Sequence, residues 1–479
     1  MVKSYDRIFI GGAWVAPSTS ETIAVVNPAT EAICAHVPAA QEADIDRAVA
    51  AAREAFDSGP WPNLPVAERI DWIRKLSQGI GARRDELTLT ITTELGCPIS
   101  ASMVMQAFPP TLVLDKYAEL AEAFPFEETR NGMMGRVLVR KEPVGVCGLI
   151  VPWNFPISII AFKLGAALAA GCTNVIKAAP ETPLDAYLLA EVCEEIGFPK
   201  GVINIVAAHR AESEHLVRHP GVDKISFTGN TQVGRHIASL CGQQLKRCSL
   251  ELGGKSAAIV LDDADPSVVA PGLVQAGLLN AGQACAAQTR LLLPKTRYAE
   301  YVDALTGIIG AMPCGDPMDP ATQVGPLVAE RQRERVLGYI GIGTAEGARI
   351  TVGGGRPKEF PKGWYVEATL LADVDNGMRV AREEIFGPVL VAIPYETERD
   401  AIRIANDNDY GLSGSVWTAD IDRGLAIART VRTGTYNVNG FTIDFCAPFG
   451  GFKASGIGRE FGPEGIASYT EPKSIAIFA

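Results

Sequence analysis

The chain has five histidines among 479 residues and no two cysteines in a C-x-x-C spacing. Zinc ribbons, thioredoxin-like redox pairs and His-rich metal sites are therefore not encoded. Ten cysteines, at 34, 97, 147, 172, 193, 241, 248, 285, 314 and 446, form no ladder of short spacings, so they do not read as a disulfide framework. Basic charge is also short. With 44 Lys and Arg against 55 Asp and Glu the net charge is −11, which argues against nucleic acid or an anionic membrane as partner. The most apolar stretch, 144–170, is interrupted by Pro152, Asn154, Pro156 and Lys163 and falls short of the roughly 18 apolar residues a membrane span needs. It reads as buried core. The first residues carry Lys3, Asp6 and Arg7 with no apolar run, so the expected compartment is cytoplasmic.

What the chain does have is core-forming material: 47% of its residues are hydrophobic and 21% charged, enough to exclude disorder. Its length predicts about three domains or one large domain with appendages. From Val144 to Leu261 short β-branched runs alternate with helical patterns. Strands are expected at Val144–Val151, Asn174–Ala178, Val202–Val206, Lys224–Phe227 and Ala257–Leu261, and helices at Ile157–Ala170, Pro183–Ile196, Glu212–Arg218 and Val233–Leu240. This is the signature of an α/β fold with a parallel sheet covered on both faces. A second α/β lobe follows, with helical patterns at Ser267–Ala281 and Glu330–Glu346 and strands near Val389–Pro394 and Ser413–Thr418. An amphipathic helix with a polar tail is expected over Leu112–Arg130. Gly135–Arg140 alternates as either a hairpin strand that pairs with another subunit or a plain surface strand.

The dinucleotide fingerprint G-x-G-x-x-G is absent. In its place, the strand ending at Phe227 runs through Thr228-Gly229-Asn230 into a helix containing Val233, either a phosphate cradle of backbone N–H groups or an ordinary turn. Lys177 closes a strand at the carboxyl edge where such sheets bind ligands, either to meet a ribose or phosphate or as a solvated strand end. Cys285 follows Gly282, which places the thiol on a bend; it is a nucleophile if positive potential lowers its pKa, otherwise one more buried cysteine. Glu251 ends an apolar strand before Gly253 and Gly254, as a general base raised by burial or as a salt-bridge partner. Asn154 sits between Pro152 and Pro156, as an oxyanion donor or a turn former. His215 and His219 have helical metal-pair spacing but no Glu beside His215, so no metal is expected.

Six segments in order, Pro152-Trp153-Asn154-Phe155-Pro156, Phe227-Thr228-Gly229, Glu251-Leu252-Gly253-Gly254-Lys255, Gly282-Gln283-Ala284-Cys285, Glu383-Glu384-Ile385-Phe386-Gly387-Pro388-Val389 and Pro448-Phe449-Gly450-Gly451, resemble the aldehyde dehydrogenase superfamily. The resemblance implies NAD(P)-dependent, non-acylating oxidation of an aldehyde to an acid, with Cys285 as nucleophile, Glu251 as general base and Asn154 as oxyanion donor. It implies cofactor contacts at Val151, Pro152, Trp153, Lys177, Pro180, Glu181, Phe227, Thr228, Gly229, Asn230, Val233, Leu252, Gly253, Glu384 and Phe386. NAD is the expected cofactor with NADP possible, because Pro180 stands where many members carry a ribose-binding Glu and Glu181 follows one place later. The same resemblance lines the aldehyde tunnel with Phe155, Ile159, Phe162, Leu279, Ala284, Ala286, Phe441, Ile443 and Phe449, all apolar, so a medium-chain aliphatic, terpenoid or aromatic aldehyde is expected. A Rossmann-like cofactor domain over 1–119 and 143–253, a catalytic domain over 254–445 and an oligomerisation element over 120–142 and 462–479 are implied, in a homodimer or homotetramer. The alternatives are a coenzyme A-acylating enzyme, a cofactor-free thiol esterase or a non-catalytic protein.

Overall fold

The computed structural model describes residues 2–133 and 135–478. Its larger sheet has eight strands in the order Ala13–Val15, Ile8–Ile10, Ile203–Ala207, Thr173–Ala178, Val146–Ile150, Lys224–Thr228, Arg247–Glu251 and Gly456–Ile457. The five central strands run parallel, and the edge pairings are antiparallel. Each expected strand and helix of this region forms within two or three residues of the sequence reading, but Ala257–Val260 does not join the larger sheet. That strand belongs to a second sheet, between Arg290–Pro294 and Gly414–Trp417. The glycine pair at 253 and 254 ends the first sheet, and the chain crosses to the second there.

Strand order fixes where a ligand can enter. From Val146–Ile150 the chain winds outward through Thr173–Ala178 and Ile203–Ala207, then returns to the other side of Val146–Ile150 as Lys224–Thr228. The turns leaving these two neighbours diverge, opening a crevice at their carboxyl ends. Residues 151–155 and 228–230 emerge there. Helix Pro156–Ala170 is buried along almost its whole length and ends at Gly171, whose φ of 96° suits glycine. The Ile157 N–H at its start is taken by Asp185 Oδ2 at 2.6 Å, which sets the angle at which the 152–155 turn meets the helix.

The second sheet has seven strands, with Ala257–Val260 and Arg290–Pro294 at its centre. The helix expected to 130 stops at Ala123. Phe124, ahead of Pro125, is extended (φ −71°, ψ 127°), the conformation a following proline imposes. The polar tail becomes strand Glu127–Gly132, which pairs with Gly135–Pro143, and that strand pairs on its other side with Thr470–Ile477. Both edges of the 135–143 strand are thus filled within the chain. The helix expected over Ser267–Ala281 ends at Leu278.

Candidate functional site

The loop that carries Cys285 owes its shape to that early stop. Asn280, Ala281 and Gly282 follow with φ of 50°, 53° and 72°, three left-handed residues in succession. At Gly282 a Cβ would lie 2.0 Å from the Gly387 carbonyl oxygen, so only glycine fits. Gly282→Ala is expected to unseat the 280–286 loop and lower kcat by about 10²-fold or more with a drop in Tm of a few degrees, both read on purified protein. Gly254 approaches the same loop from the other side, where a Cβ would stand 2.4 Å from the Cys285 carbonyl oxygen.

Asn154 is held by three amides. Gln106 Nε2 and Asn280 Nδ2 each donate to its carbonyl oxygen at 2.9 Å, and its own Nδ2 donates to Gln283 O at 2.9 Å. An amide nitrogen carries two hydrogens, so one N–H of Asn154 is left to point elsewhere. The Cys285 backbone N–H has no partner among the described residues.

These parts meet in a cavity of about 230 Å³ lined by Pro152, Trp153, Asn154, Thr228, Gly229, Asn230, Glu251, Leu252, Gly253, Cys285, Glu384 and Phe386, together with Gln332 and Arg335. The three expected catalytic residues and nine of the expected cofactor residues are thus brought together. Trp153 and Phe386 face each other edge to face with ring centres 5.4 Å apart. Gln332 and Arg335 escaped the sequence reading because a Gln and an Arg on a polar helix carry no distinguishing pattern. They donate to the carbonyls of Phe386 (2.6 Å) and Glu384 (2.5 Å) and so position that segment.

A second cavity, of about 340 Å³, lies across the Phe227–Val233 junction and holds Lys177, Pro180, Phe227 and Val233. Two expected cofactor residues line neither space. Val151 is buried behind the turn, and Glu181 is drawn out to pair with Arg331. The phosphate cradle also differs from expectation. Asn230 Oδ1 caps its own helix by accepting from the N–H groups of Gln232 (2.8 Å) and Val233 (3.4 Å), and the Gly229 N–H donates to Glu251 O at 3.0 Å. Fewer N–H groups are free than a bare strand–turn–helix junction offers.

Burial dominates the electrostatics. Burial pushes the Cys285 thiol up to about 12, aided by the carboxylates of Glu384, Glu251 and Glu460. Burial, with the Glu460 carboxylate, also holds Glu251 well above the usual carboxylate range, while Lys163 and Arg459 oppose it. Neither Glu251 oxygen has a hydrogen-bond partner among the described residues. Lys163 Nζ, itself buried, donates to Glu460 Oε1 at 2.6 Å, so a closed ion pair sits beside the candidate base. Burial raises Glu384 to about 7, and the Gly254 N–H (2.9 Å) restrains it.

Phe155, Ile159, Phe162, Ala286, Phe441, Ile443 and Phe449 pack in one apolar cluster that also contacts Cys285. Ala284 is buried beside the thiol. Phe445 and Phe461, not singled out from sequence, complete an aromatic group with Phe162, at centre distances of 4.7 to 6.0 Å. Leu279 faces a different cavity, with Ala101 and Met105. His215 and His219 both turn to Asp46, at 2.6 and 3.3 Å.

A cleft at the switch point of a doubly wound sheet, with a thiol, a raised carboxyl and a spare amide donor at one end, defines a nucleotide-dependent enzyme of the covalent-thiol class. The aldehyde dehydrogenase family profile matches residues 14–475, and the chain belongs to that family. It is 47% identical over 476 residues to the geranial dehydrogenase of Castellaniella defragrans, covering 99% of both chains. A 3-succinoylsemialdehyde-pyridine dehydrogenase of a Pseudomonas species is 40% identical over 477 residues, again over 99% of each chain. Among solved structures, the Mycobacterium tuberculosis aldehyde dehydrogenase complexed with NAD+ superposes with a TM-score of 0.98 at 48% identity, covering 100% of this chain and 99% of that one. A mutant aldehyde dehydrogenase C of Pseudomonas syringae complexed with NAD+ and octanal gives 0.96 at 39% identity, over 99% and 97%.

Proposed function

We propose that the protein oxidises an apolar aldehyde to its carboxylic acid with NAD as acceptor, Cys285 serving as nucleophile, Glu251 as general base and Asn154 as oxyanion donor. The observation that carries this reading is the shared cavity, in which Cys285, Glu251 and Asn154 stand against the turns 152–154 and 228–230. The cleft suits a dinucleotide: among the described residues Thr228 Oγ1 is buried without a partner and Lys177 Nζ is unpaired beside the second cavity, and the perpendicular rings of Trp153 and Phe386 line the first. Bound there, NAD would supply the hydride acceptor.

The Cys285 thiol releases its proton to solvent, the thiolate adds to the carbonyl carbon, and the resulting alkoxide accepts hydrogen bonds from the free Asn154 N–H and the Cys285 backbone N–H. Transfer of the hydride to the nicotinamide that the cleft would hold leaves a thioester on Cys285. Glu251 removes a proton from water, the hydroxide attacks the thioester carbon, and the acid leaves as the thiol is regenerated. A coenzyme A-acylating enzyme would have no use for a buried base at this point.

The substrate class follows from the walls. Seven of the nine expected tunnel residues belong to the large apolar core against which Cys285 packs, and none of the nine carries a charge that could receive a second carboxylate. The experiment is a panel of octanal, geranial, benzaldehyde and succinic semialdehyde, followed by appearance of reduced nicotinamide. The apolar aldehydes should exceed the semialdehyde in kcat/KM by about 10²-fold. Equal values would remove the apolar assignment.

The domain reading follows the two large sheets, with residues 1–119 and 143–253 as cofactor domain and 254–445 as catalytic domain. Residues 120–142 and 462–479 supply the three-stranded sheet, whose outer strand Thr470–Ile477 exposes Ile475 and Ile477 beside an unpaired edge, in keeping with a homodimer or homotetramer. Ten cysteines without framework spacing suit the reducing cytoplasm.

A further inference from the structure

We infer that Asp185 is a positioning residue for the oxyanion donor Asn154: it caps, from a distance, the helix that follows the 152–155 turn, and it holds that turn in place only while ionised. This rests on the reading above, in which the alkoxide formed on Cys285 takes a hydrogen bond from the free Asn154 N–H.

Helix Pro156–Ala170 has no cap of its own. Phe155, at the cap position, offers no side-chain acceptor, and Pro156 has no N–H to satisfy. The Ile159 N–H returns to Phe155 O at 2.8 Å. The Ile157 N–H needs a partner from elsewhere, and Asp185 Oδ2, 28 residues along the chain, accepts it at 2.6 Å. Ser158, next in the helix, donates from Oγ to Gln106 O at 2.9 Å, and Gln106 Nε2 donates to Asn154 O. The first turn of the helix is thus tied to Asn154 through the chain on one side and through Gln106 on the other.

Asp185 is itself held in place. It lies in the first turn of helix Leu184–Glu195, whose cap position, Pro183, has no side-chain acceptor either. Glu94, from helix Arg84–Leu95, takes the Leu184 N–H on Oε2 at 2.9 Å and the Asp185 N–H on Oε1 at 3.3 Å. Two helix N-termini are therefore each closed by a carboxyl from another helix. Both carboxyls are 0% exposed, and Asp185 Oδ1 has no hydrogen-bond partner among the described residues.

Few titratable groups face this pair. Glu94 faces Asp185 and the Cys34 thiol, and Asp185 otherwise meets the N–H groups of Ile157 and Ala186, with no Lys or Arg among the described residues. Burial, with the Asp185 charge, holds Glu94 well above the usual carboxylate range, so Glu94 keeps its proton. Burial raises Asp185 to about 7. As pH falls through that value, Asp185 loses the charge that strengthens its bond to Ile157, and the turn loosens.

Single turnovers of octanal with the intact protein in excess and NAD saturating, followed by stopped-flow absorbance of reduced nicotinamide, test the role. The limiting rate constant at high protein concentration reads the steps through the alkoxide, and the half-saturating concentration reads binding. At about pH 8.5, Asp185→Asn keeps an oxygen for Ile157 but no charge, and should lower the limiting rate about tenfold with half-saturation within about twofold. Asp185→Ala removes the acceptor and should lower it about 10²-fold. At about pH 5.5 wild type and Asp185→Asn should agree within about twofold, since position 185 is then neutral in both and the Cys285 titration cancels in their ratio. A merely structural role would leave fewer competent molecules, raising the half-saturating concentration at an unchanged limiting rate. That result, or a tenfold gap that persists at the lower pH, would overturn the inference and leave the thioester reading intact. Wild-type single turnover in Cys285→Ala would instead overturn that reading, and the positioning role with it.

Discussion

Cys285→Ala loses turnover of every aldehyde by ~10⁴-fold or more while binding of NAD is unaffected. A hydride does not leave a planar carbonyl carbon; the carbonyl must first become a tetrahedral alkoxide, and Cys285, which lines the first cavity, is the nucleophile proposed to make it. Alanine removes the sulfur without adding bulk, so the loop 280–286 keeps its left-handed turn. Initial rates of nicotinamide reduction decide the matter. Turnover that survives the substitution would strip Cys285 of its role and end the thioester route. The wild-type thiol gives a companion result. Because burial and three carboxylates push it up to about 12, alkylation by iodoacetamide in the absence of nucleotide should be slow at neutral pH. It should then accelerate roughly tenfold per pH unit toward the alkaline side, since only the thiolate reacts.

Glu251→Gln separates the two halves of the reaction. Acylation of Cys285 does not call on the carboxylate, whereas hydrolysis of the thioester does. The variant should release about one reduced nicotinamide per subunit in a burst and then turn over ~10²- to 10⁴-fold more slowly than wild type. Stopped-flow absorbance reads both phases. The pH profile carries the sign of the effect. Burial and the Glu460 carboxylate raise Glu251, so the ionised base becomes populated only as pH rises through that elevated value, and the wild-type steady-state rate climbs on the alkaline side. In Glu251→Gln that climb is lost from the slow phase. A variant without a burst, slowed equally in both phases, would show that Glu251 acts before the thioester forms.

Much of this site was legible in the residues because its parts sit at breaks in strong patterns. Asn154, Thr228 and Glu251 each stand at the end of a short run with apolar residues that is closed by proline or glycine, and such ends become the carboxyl edge of a parallel sheet. Cys285 follows a glycine that interrupts helical periodicity. What was not legible depends on pairing between distant segments. The strand Ala257–Val260 has the same local character as those before it, and only its partners, 290–294 and 414–417, assign it to the other sheet. The diversion of Glu181 comes from Arg331, 150 residues away, and the capping of Gln232 and Val233 by Asn230 reflects one rotamer. The true end of the helix at Ala123 was readable in Phe124-Pro125 and was outweighed by the charged residues beyond it.

The larger sheet draws its outermost strands from the two ends of the chain. Ile8–Ile10 joins Ile203–Ala207 on one side, and Gly456–Ile457 joins Leu250 and Glu251 on the other, where Leu252 N–H also donates to Ser455 O at 2.9 Å. The strand bearing Glu251 is therefore completed by a segment some 200 residues further along. Contacts of such sequence separation form late and slowly, because a long loop must close before they repay its entropy. After dilution from denaturant, secondary structure should return well ahead of catalysis. During synthesis the chain stays inactive until its last strands have emerged.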